Sequence, residues 1–168
     1  MIDLSTACSV IAIIVAFWSV YYSRYFWIED NRPIVTAEIV ECASGVGVAC
    51  FNLVVYNSGS RPAVDIRLEA EKEDVEKILS EGATEHDRTQ IHNIFSGNPK
   101  IQLLLNGKDT LTAFSSFSNQ KGSQADNLKY EGELSVKIKY SGIDGKKYIS
   151  KVPLRVRGSK GFGGSVWT

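Results

Sequence analysis

The hydrophobic pattern divides the chain into an uncharged N-terminal run and a longer region of alternating polar and apolar residues. The run extends from Leu4 to Ser23 without a charged side chain, which is the length a helix needs to cross a bilayer. The remaining chain is long enough to bury a core of its own. We therefore predict four segments: a transmembrane helix over 1–28, a linker over 29–33, a soluble β-rich domain over 34–157 and a Gly-rich tail over 158–168.

Aromatic residues crowd the C-terminal end of the uncharged run. Tyr and Trp favour the lipid headgroup interface, because the ring is apolar while its polar tip stays in water. No Lys or Arg precedes the run and no small-x-small cleavage site follows it, so an uncleaved anchor fits better than a signal peptide. Arg24 and Arg32 follow it, and the positive-inside tendency places the C-terminal domain in the cytoplasm. The membrane-interface aromatics are Trp18, Tyr21, Tyr22, Tyr25 and Trp27.

Small residues inside the run repeat at intervals of 4, 3, 4, 3 and 4. This spacing puts them on one stripe of a helix, as in the seam of a left-handed helix pair. Helices associate in lipid where small side chains let the backbones approach closely. We expect the stripe to pack against a second copy of the chain or another membrane protein; the alternative is a chance alignment of common residues. The helix-packing stripe consists of Ser5, Ser9, Ala12, Ala16, Ser19 and Ser23.

Beyond the linker, apolar and polar residues alternate with the period of half-buried strands. Two short helical patterns interrupt the strands and predict a helical insertion over 73–96. Its first helix covers 73–81, and its second begins at Thr84, with Asp87 as the capping partner. A strand over 64–70 is expected to bury Val64 with the other even-numbered residues. The remaining strands are predicted over 34–42, 48–57, 101–105 and 110–117, followed by a C-terminal hairpin.

The C-terminal hairpin carries its apolar residues at even positions on both strands, from Leu134 to Tyr140 and from Tyr148 to Val156. Both sets face the core only if paired residue numbers add up to an even value, because a one-residue slip would turn one strand over. We therefore predict an odd-length loop over 143–145, with Gly145 at positive φ. This register gathers a basic surface on the outer face, formed by Lys137, Lys139, Lys147, Lys151 and Arg155.

Two of the three cysteines flank the predicted turn between the first two strands. If Val35, Ile39 and Leu53 share the buried face, the numbers of paired residues add up to an even value, and a sum of 92 places Cys42 opposite Cys50 on the outer face. A disulfide would form there in an oxidising compartment, whereas both thiols would stay free in the cytoplasm. The second alternative agrees with the predicted orientation of the anchor.

Short alternating strands separated by turns predict a mainly β fold, an antiparallel immunoglobulin-like β-sandwich behind one transmembrane helix. The segment 51–66, in which an apolar strand ends in Asn57-Ser58-Gly59, resembles part of the bacterial immunoglobulin-like domains of the CARDB type. Residues 136–148 are similar to their closing hairpin. The resemblance implies a domain that binds or spaces other molecules, and the helical insertion departs from the family's plain pattern.

No catalytic or cofactor-binding constellation is recognisable in the sequence. His86 and His92 are six residues apart, unlike a metal-ligand pair on one helix face, and the Gly-rich tail has no helix after it to form a phosphate loop. Equal numbers of basic and acidic residues, 19 of each, give no general case for nucleic-acid binding. We expect neither an enzyme nor a cofactor.

The expected function is a membrane-anchored binding and assembly module of bacterial or phage origin, with the bilayer and a second membrane protein or copy as partners. By analogy of layout alone, a small anchor with a recognition domain also suits a membrane effector of a bacterial defence system. The alternatives are an accessory subunit of a larger membrane complex and an exported domain with a Cys42–Cys50 bridge.

Overall fold

The computed structural model describes residues 3–120, 123 and 126–156, and it divides the chain into two units, Met1–Arg32 and Pro33–Thr168. The predicted Gly-rich tail, 158–168, lies outside the described residues, as does Arg157 at the end of the predicted domain.

The first unit consists of one helix, α1 (Leu4–Asp30), which includes the whole uncharged run. It is long and apolar enough to span a membrane. The helix ends at Asn31, whose backbone N–H and side-chain Nδ2 both donate to the carbonyl of Trp27, at 3.1 and 2.8 Å. Pro33 follows two residues later, where a proline cannot continue a helix. The first two residues of the predicted linker are therefore helical.

The second unit is a mainly β sandwich of two antiparallel sheets, as the alternation predicted. One sheet has the order β1-β2-β5 and the other the order β4-β3-β6-β7. This is an immunoglobulin-like arrangement, in which β4 lies in the second sheet, beside β3. The strands are β1 (Val35–Gly45), β2 (Val48–Asn57), β3 (Ala63–Glu69), β4 (Ile101–Leu104), β5 (Asp109–Ser118), β6 (Glu133–Gly142) and β7 (Lys147–Arg155).

The core lies between the two sheets and is formed by alternate residues of the facing strands. Val35, Ile39, Phe51 and Leu53 are buried on one sheet, which confirms the predicted apolar face. The even positions of β6, from Leu134 to Tyr140, are buried on the other.

The register between β1 and β2 follows the expectation only as far as Glu41, which pairs with Phe51. A β-bulge then inserts one extra residue, so Ala43 and not Cys42 lies opposite Cys50. The predicted pairing of Cys42 with Cys50 is therefore wrong. Both thiols are free and exposed.

A second bulge, in β3, makes the burial of this strand differ from the prediction at its N-terminal end. The register with β6 shifts between Val64 and Arg67, and Asp65 adopts a positive φ of 52°. As a result Ala63 is fully buried and Val64 is only half-buried, whereas Ile66 and Leu68 are buried as predicted. Asp tolerates this left-handed conformation better than most residues.

The C-terminal hairpin has the predicted even register, with Leu134 opposite Leu154 and Tyr140 opposite Tyr148. The N–H of Gly142 donates to the carbonyl of Lys146 at 2.8 Å, which closes a three-residue loop over 143–145. Gly145 has a φ of +78°, so the predicted loop length and glycine conformation are both confirmed.

The insertion between β3 and β4 contains α2 (Lys72–Ile78) and α3 (Glu85–Ile94). The first helix begins one residue earlier and ends three residues earlier than predicted, because Leu79 leaves it to bridge Leu128 in extended conformation. The second begins with the predicted capping box, in which Thr84 and Asp87 each bond the other's backbone N–H. Buried side chains of the insertion, Val75, Ile78, Ile91 and Phe95, join the core of the sandwich.

Candidate functional site

α1 presents apolar side chains around its whole circumference. The large apolar side chains between Val10 and Val20 are more than half exposed, from 51% at Val10 to 73% at Phe17. The domain core is formed by residues of the second unit alone. An exposed apolar surface of this extent marks an interface with lipid or protein.

Each residue of the predicted helix-packing stripe lies on α1 and is exposed: Ser5, Ser9, Ala12, Ala16, Ser19 and Ser23. The hydroxyl of Ser9 donates to the carbonyl of Ser5 at 2.8 Å, within the helix itself. The other hydroxyls on the stripe, those of Ser5, Ser19 and Ser23, form no side-chain hydrogen bond within the described part of the chain.

The aromatic residues form a continuous group of rings at the C-terminal end of α1. Trp18 and Tyr22 lie 5.5 Å apart between ring centroids, and Tyr22 stacks on Phe26 at 6.3 Å. All five predicted interface aromatics, Trp18, Tyr21, Tyr22, Tyr25 and Trp27, are exposed by 45% or more. A group of this composition suits the headgroup layer of a bilayer.

The predicted basic surface lies on the outer face of β6 and β7, but its members differ in their partners. Arg155 pairs with Glu133 at 2.9 Å, and Lys139 pairs with Glu69 at 2.6 Å. Lys137 and Lys151 lie directly opposite each other on the two strands and form no ion pair within the described residues. Lys147, near the turn, is opposite Ser141.

A groove of about 810 Å³ lies between this outer sheet face and the helical insertion. Lys137 and Lys151 line it from the sheet, together with Ser135. The insertion contributes polar groups from both helices and from the residues around them, among them Glu71, Lys72, Thr89, His92, Asn93 and Ser96. The sequence predicted the basic residues through the register of the hairpin. It did not predict the groove, because the second wall of the groove is the helical insertion, and the sequence does not show where the insertion packs.

Glu76 fixes the two helices of the insertion to each other. Its carboxylate accepts a hydrogen bond from Arg88, and it lies 2.7 Å from the Nε2 atom of His92. The bond with His92 lowers the pKa of Glu76 below its ordinary value, and the nearby charge of Arg88 acts in the same direction. Arg88 also donates to the carbonyls of Ser80 and Ala83, at 3.0 and 3.3 Å.

Carboxylates that face the groove are partly neutralised by neighbouring lysines. Asp74 bonds Lys77 at 2.6 Å, which raises the pKa of Lys77, and Glu69 is held by Lys139. Glu71 is exposed and has no ion pair within the described part of the chain. The groove is thus lined by neutral hydrogen-bonding side chains, by the unpaired carboxylate of Glu71 and by three lysines that form no ion pair within the described residues, Lys72, Lys137 and Lys151.

Comparison with the curated proteins finds no match. A family model described as a domain of unknown function, DUF8453, matches residues 2–158. The match covers both the apolar helix and the sandwich, so it extends over most of the chain. The chain therefore belongs to the DUF8453 family.

Proposed function

We propose that this protein is a single-pass membrane protein whose immunoglobulin-like sandwich recognises a ligand or partner in the cytoplasm and whose helix α1 mediates assembly. The observation that carries the proposal is the uncovered apolar surface of α1. Eight large apolar side chains between Val10 and Val20 are more than half exposed, and moving them from water into lipid gains on the order of 10 kcal/mol. That gain is comparable to the whole stability of a typical domain.

The sandwich supports the recognition part of the proposal. Its Asn57-Ser58-Gly59 turn and closing hairpin agree with a CARDB-type domain, a class that mostly binds or spaces other molecules. The groove beside the insertion gives it a concave polar surface, and the insertion is the feature that departs from the plain CARDB pattern.

Membrane anchoring is tested by fractionation of the full-length protein with alkaline carbonate. We expect the wild type in the membrane pellet. The double variant Ile13→Lys, Phe17→Lys places two charges in the span, at about 3 kcal/mol each, and shifts the protein towards the supernatant. The matched control, Ile143→Lys with Ile149→Lys, changes two exposed residues of the sandwich, 65% and 63% accessible, and stays in the pellet. Wild-type protein in the supernatant without detergent refutes the anchor.

Sidedness is tested with a membrane-impermeant maleimide on the variant Cys8→Ser, since its remaining thiols, those of Cys42 and Cys50, are exposed on the sandwich. A cytoplasmic domain is labelled only after the cells are permeabilised. Labelling in intact spheroplasts places the domain on the outside and favours the exported alternative.

Assembly is tested by measuring the mass of the full-length protein in mild detergent. The double variant Ala12→Leu, Ala16→Leu fills the small-residue stripe and is expected to reduce the oligomer to monomer. The control Val10→Leu, Ile14→Leu introduces the same residue on the opposite helix face and leaves the mass unchanged. A monomeric wild type argues against self-assembly, and stable foreign subunits support the accessory-subunit alternative.

The layout also supports a role as a membrane effector in bacterial defence, where clustering of the anchors would perturb the bilayer. Expression of the full-length protein, alone and with its neighbouring genes, is expected to depolarise cells in this case. The stripe variant Ala12→Leu, Ala16→Leu removes the effect, and an unchanged membrane potential under all these conditions refutes the effector role.

A further inference from the structure

We infer that the groove between the helical insertion and the outer face of β6 and β7 binds a phosphate-bearing small molecule, with Lys137 and Lys151 holding the phosphate. This inference rests on the proposed recognition role of the sandwich and names its ligand class. It is independent of the anchoring proposal, because the groove is formed by residues of the second unit alone.

The first argument is the arrangement of the two lysines. Lys137 and Lys151 are direct cross-strand neighbours on one face of the sheet, so their Cβ atoms are separated by about 5 Å. Like charges in such a pair destabilise a sheet. Glu69 is the other cross-strand neighbour of Lys137, but its carboxylate lies 2.6 Å from the ammonium of Lys139. Within the described residues, neither lysine of the opposed pair has an anionic partner.

The second argument is the charge balance of the groove. Glu69 and Asp74 are already paired with lysines, at 2.6 Å each, and so contribute little net charge. The unpaired charges are Glu71 on one side and Lys72, Lys137 and Lys151 on the other. The remaining potential is therefore positive at the sheet wall. Two lysines at directly opposed positions on one sheet face match the two or more charges of a phosphate better than the single charge of a carboxylate.

The third argument is the size and polarity of the groove. Its volume of about 810 Å³ lies in the range of small-molecule sites and exceeds what a lone phosphate needs. Thr89, Asn93 and Ser135 line it and are able to bond the hydroxyl or amino groups of an organic body. The carboxylate of Glu71, which also lines the groove, would accept from a donor group on the same body.

The phosphate can come from a soluble metabolite or from a lipid headgroup, and both sources share the chemistry that the lysines recognise. Pyrophosphate is the probe, titrated by calorimetry into full-length protein in phosphatidylcholine nanodiscs at constant ionic strength. We expect a dissociation constant below about 1 mM. A second titration uses nanodiscs that contain phosphatidylinositol 4-phosphate. If the dissociation constant of pyrophosphate is unchanged there, the natural ligand is a soluble molecule. If the lipid competes and raises the apparent dissociation constant more than about fivefold, the natural ligand is a lipid headgroup.

The lysine pair is tested with Lys137→Met, Lys151→Met, which keeps an unbranched side chain one atom shorter and removes both charges. Pyrophosphate affinity is expected to fall at least about tenfold. The control Lys108→Met, Lys129→Met removes two exposed lysines outside this groove and changes affinity less than about twofold. No binding by the wild type, equal loss in both variants, or full retention in the groove variant overturns the inference.

The stability of the unliganded protein provides a second readout. Since the opposed charges repel, Lys151→Met alone should raise the unfolding temperature of the sandwich by about 1–4 °C, whereas Lys129→Met should not. A lower unfolding temperature for Lys151→Met contradicts the picture of an uncompensated pair. Absence of pyrophosphate binding by a wild-type protein that resists carbonate extraction refutes this inference and leaves the anchoring proposal intact.

Discussion

Asn57 is the residue whose replacement should damage the sandwich most for its size. It ends β2, its exposed fraction is 1%, and its side chain forms four hydrogen bonds. The Oδ1 atom accepts from the N–H groups of Ile34 and Gly59, at 3.1 and 3.0 Å. The Nδ2 atom donates to the carbonyls of Arg61 and Leu104, at 2.7 and 3.2 Å. One amide side chain therefore connects the first sheet, the following turn and the end of β4.

The expected cost of Asn57→Ala follows from these bonds. Two of them, to Gly59 and Leu104, are buried, and a buried group left without a partner costs about 1–3 kcal/mol. The other two are partly exposed, so water replaces the lost partner at lower cost. The sum predicts a loss of about 2–5 kcal/mol, or a fall of roughly 8–20 °C in the unfolding temperature of a domain of this size.

Scanning calorimetry of the full-length protein in detergent measures this loss. The control is Asn98→Ala, which removes an exposed asparagine whose side chain forms no hydrogen bond within the described residues; it is expected to change stability by less than about 0.5 kcal/mol. Asn57→Asp removes only the two bonds that Nδ2 donates, because one carboxylate oxygen can still accept from the N–H groups while the other would face the two carbonyls. The pKa of this Asp would be raised in the folded state, so the destabilisation should grow as the pH rises through that pKa. An Asn57→Ala protein whose unfolding temperature lies within 1 °C of the wild-type value refutes the stabilising role of these hydrogen bonds.

Two further perturbations test the insertion. Gly97 has a φ of +75°, and a Cβ added there would lie 2.8 Å from the Cγ atom of Glu69. Gly97→Ala should therefore lower the stability of the domain by about 1–2 kcal/mol in the same calorimetric assay. In the control, Gly45→Ala, the added Cβ meets nothing within 4 Å, so the stability should be nearly unchanged. The lowered pKa of Glu76, caused first by its bond to His92, contributes stability above the ordinary value of 4.5 that is lost as the pH falls through the folded-state pKa. The stability difference between wild type and Glu76→Gln should therefore shrink on acidification below about pH 4.5, and a constant difference would contradict this role.

Sequence reasoning succeeded where one local rule decides the structure. The capping box at Thr84 needs only two residues three apart, and the even register of the last hairpin follows from the apolar positions of its two strands. Gly145 was predictable for the same reason, since an odd loop between those strands requires a residue at positive φ. These features depend on neighbours in sequence, and the structure has each of them.

The two β-bulges were missed because no local rule places them. At Cys42 the alternation of β1 fades into exposed positions, so either register buries the same residues of the strand's first half. At Asp65 the bulge exchanges Ala63 for Val64 in the core, a choice made by packing against the neighbouring strands. Register shifts of this kind depend on contacts between distant segments.

The groove was beyond sequence reasoning for a related reason. The basic residues were identified through the hairpin register. That Lys137 and Lys151 lack an anionic partner follows only from the ion pair that Glu69 forms with Lys139, which the register does not predict. The helical wall depends on how Ile91 and Phe95 of the insertion enter the core, where Phe95 contacts Phe114 at 5.9 Å between ring centroids. Which charge remains unpaired is a property of the folded domain.

Ligand binding in the groove and assembly through α1 can influence each other only by a difference in free energy. A ligand shifts the equilibrium between monomer and oligomer solely to the extent that it binds one state more tightly. Reciprocity then makes a definite prediction for the stripe variant Ala12→Leu, Ala16→Leu. If pyrophosphate promotes assembly of the wild type by a given factor per site, the monomeric variant must bind pyrophosphate more weakly by the same factor. Moving a population from 1:99 to 99:1 requires a ratio of about 10⁴, or about 100 at each of two grooves in a dimer. Equal affinity in wild type and variant would show that the groove and the helix act independently, and the protein would then be a tethered receptor whose ligand does not control its assembly.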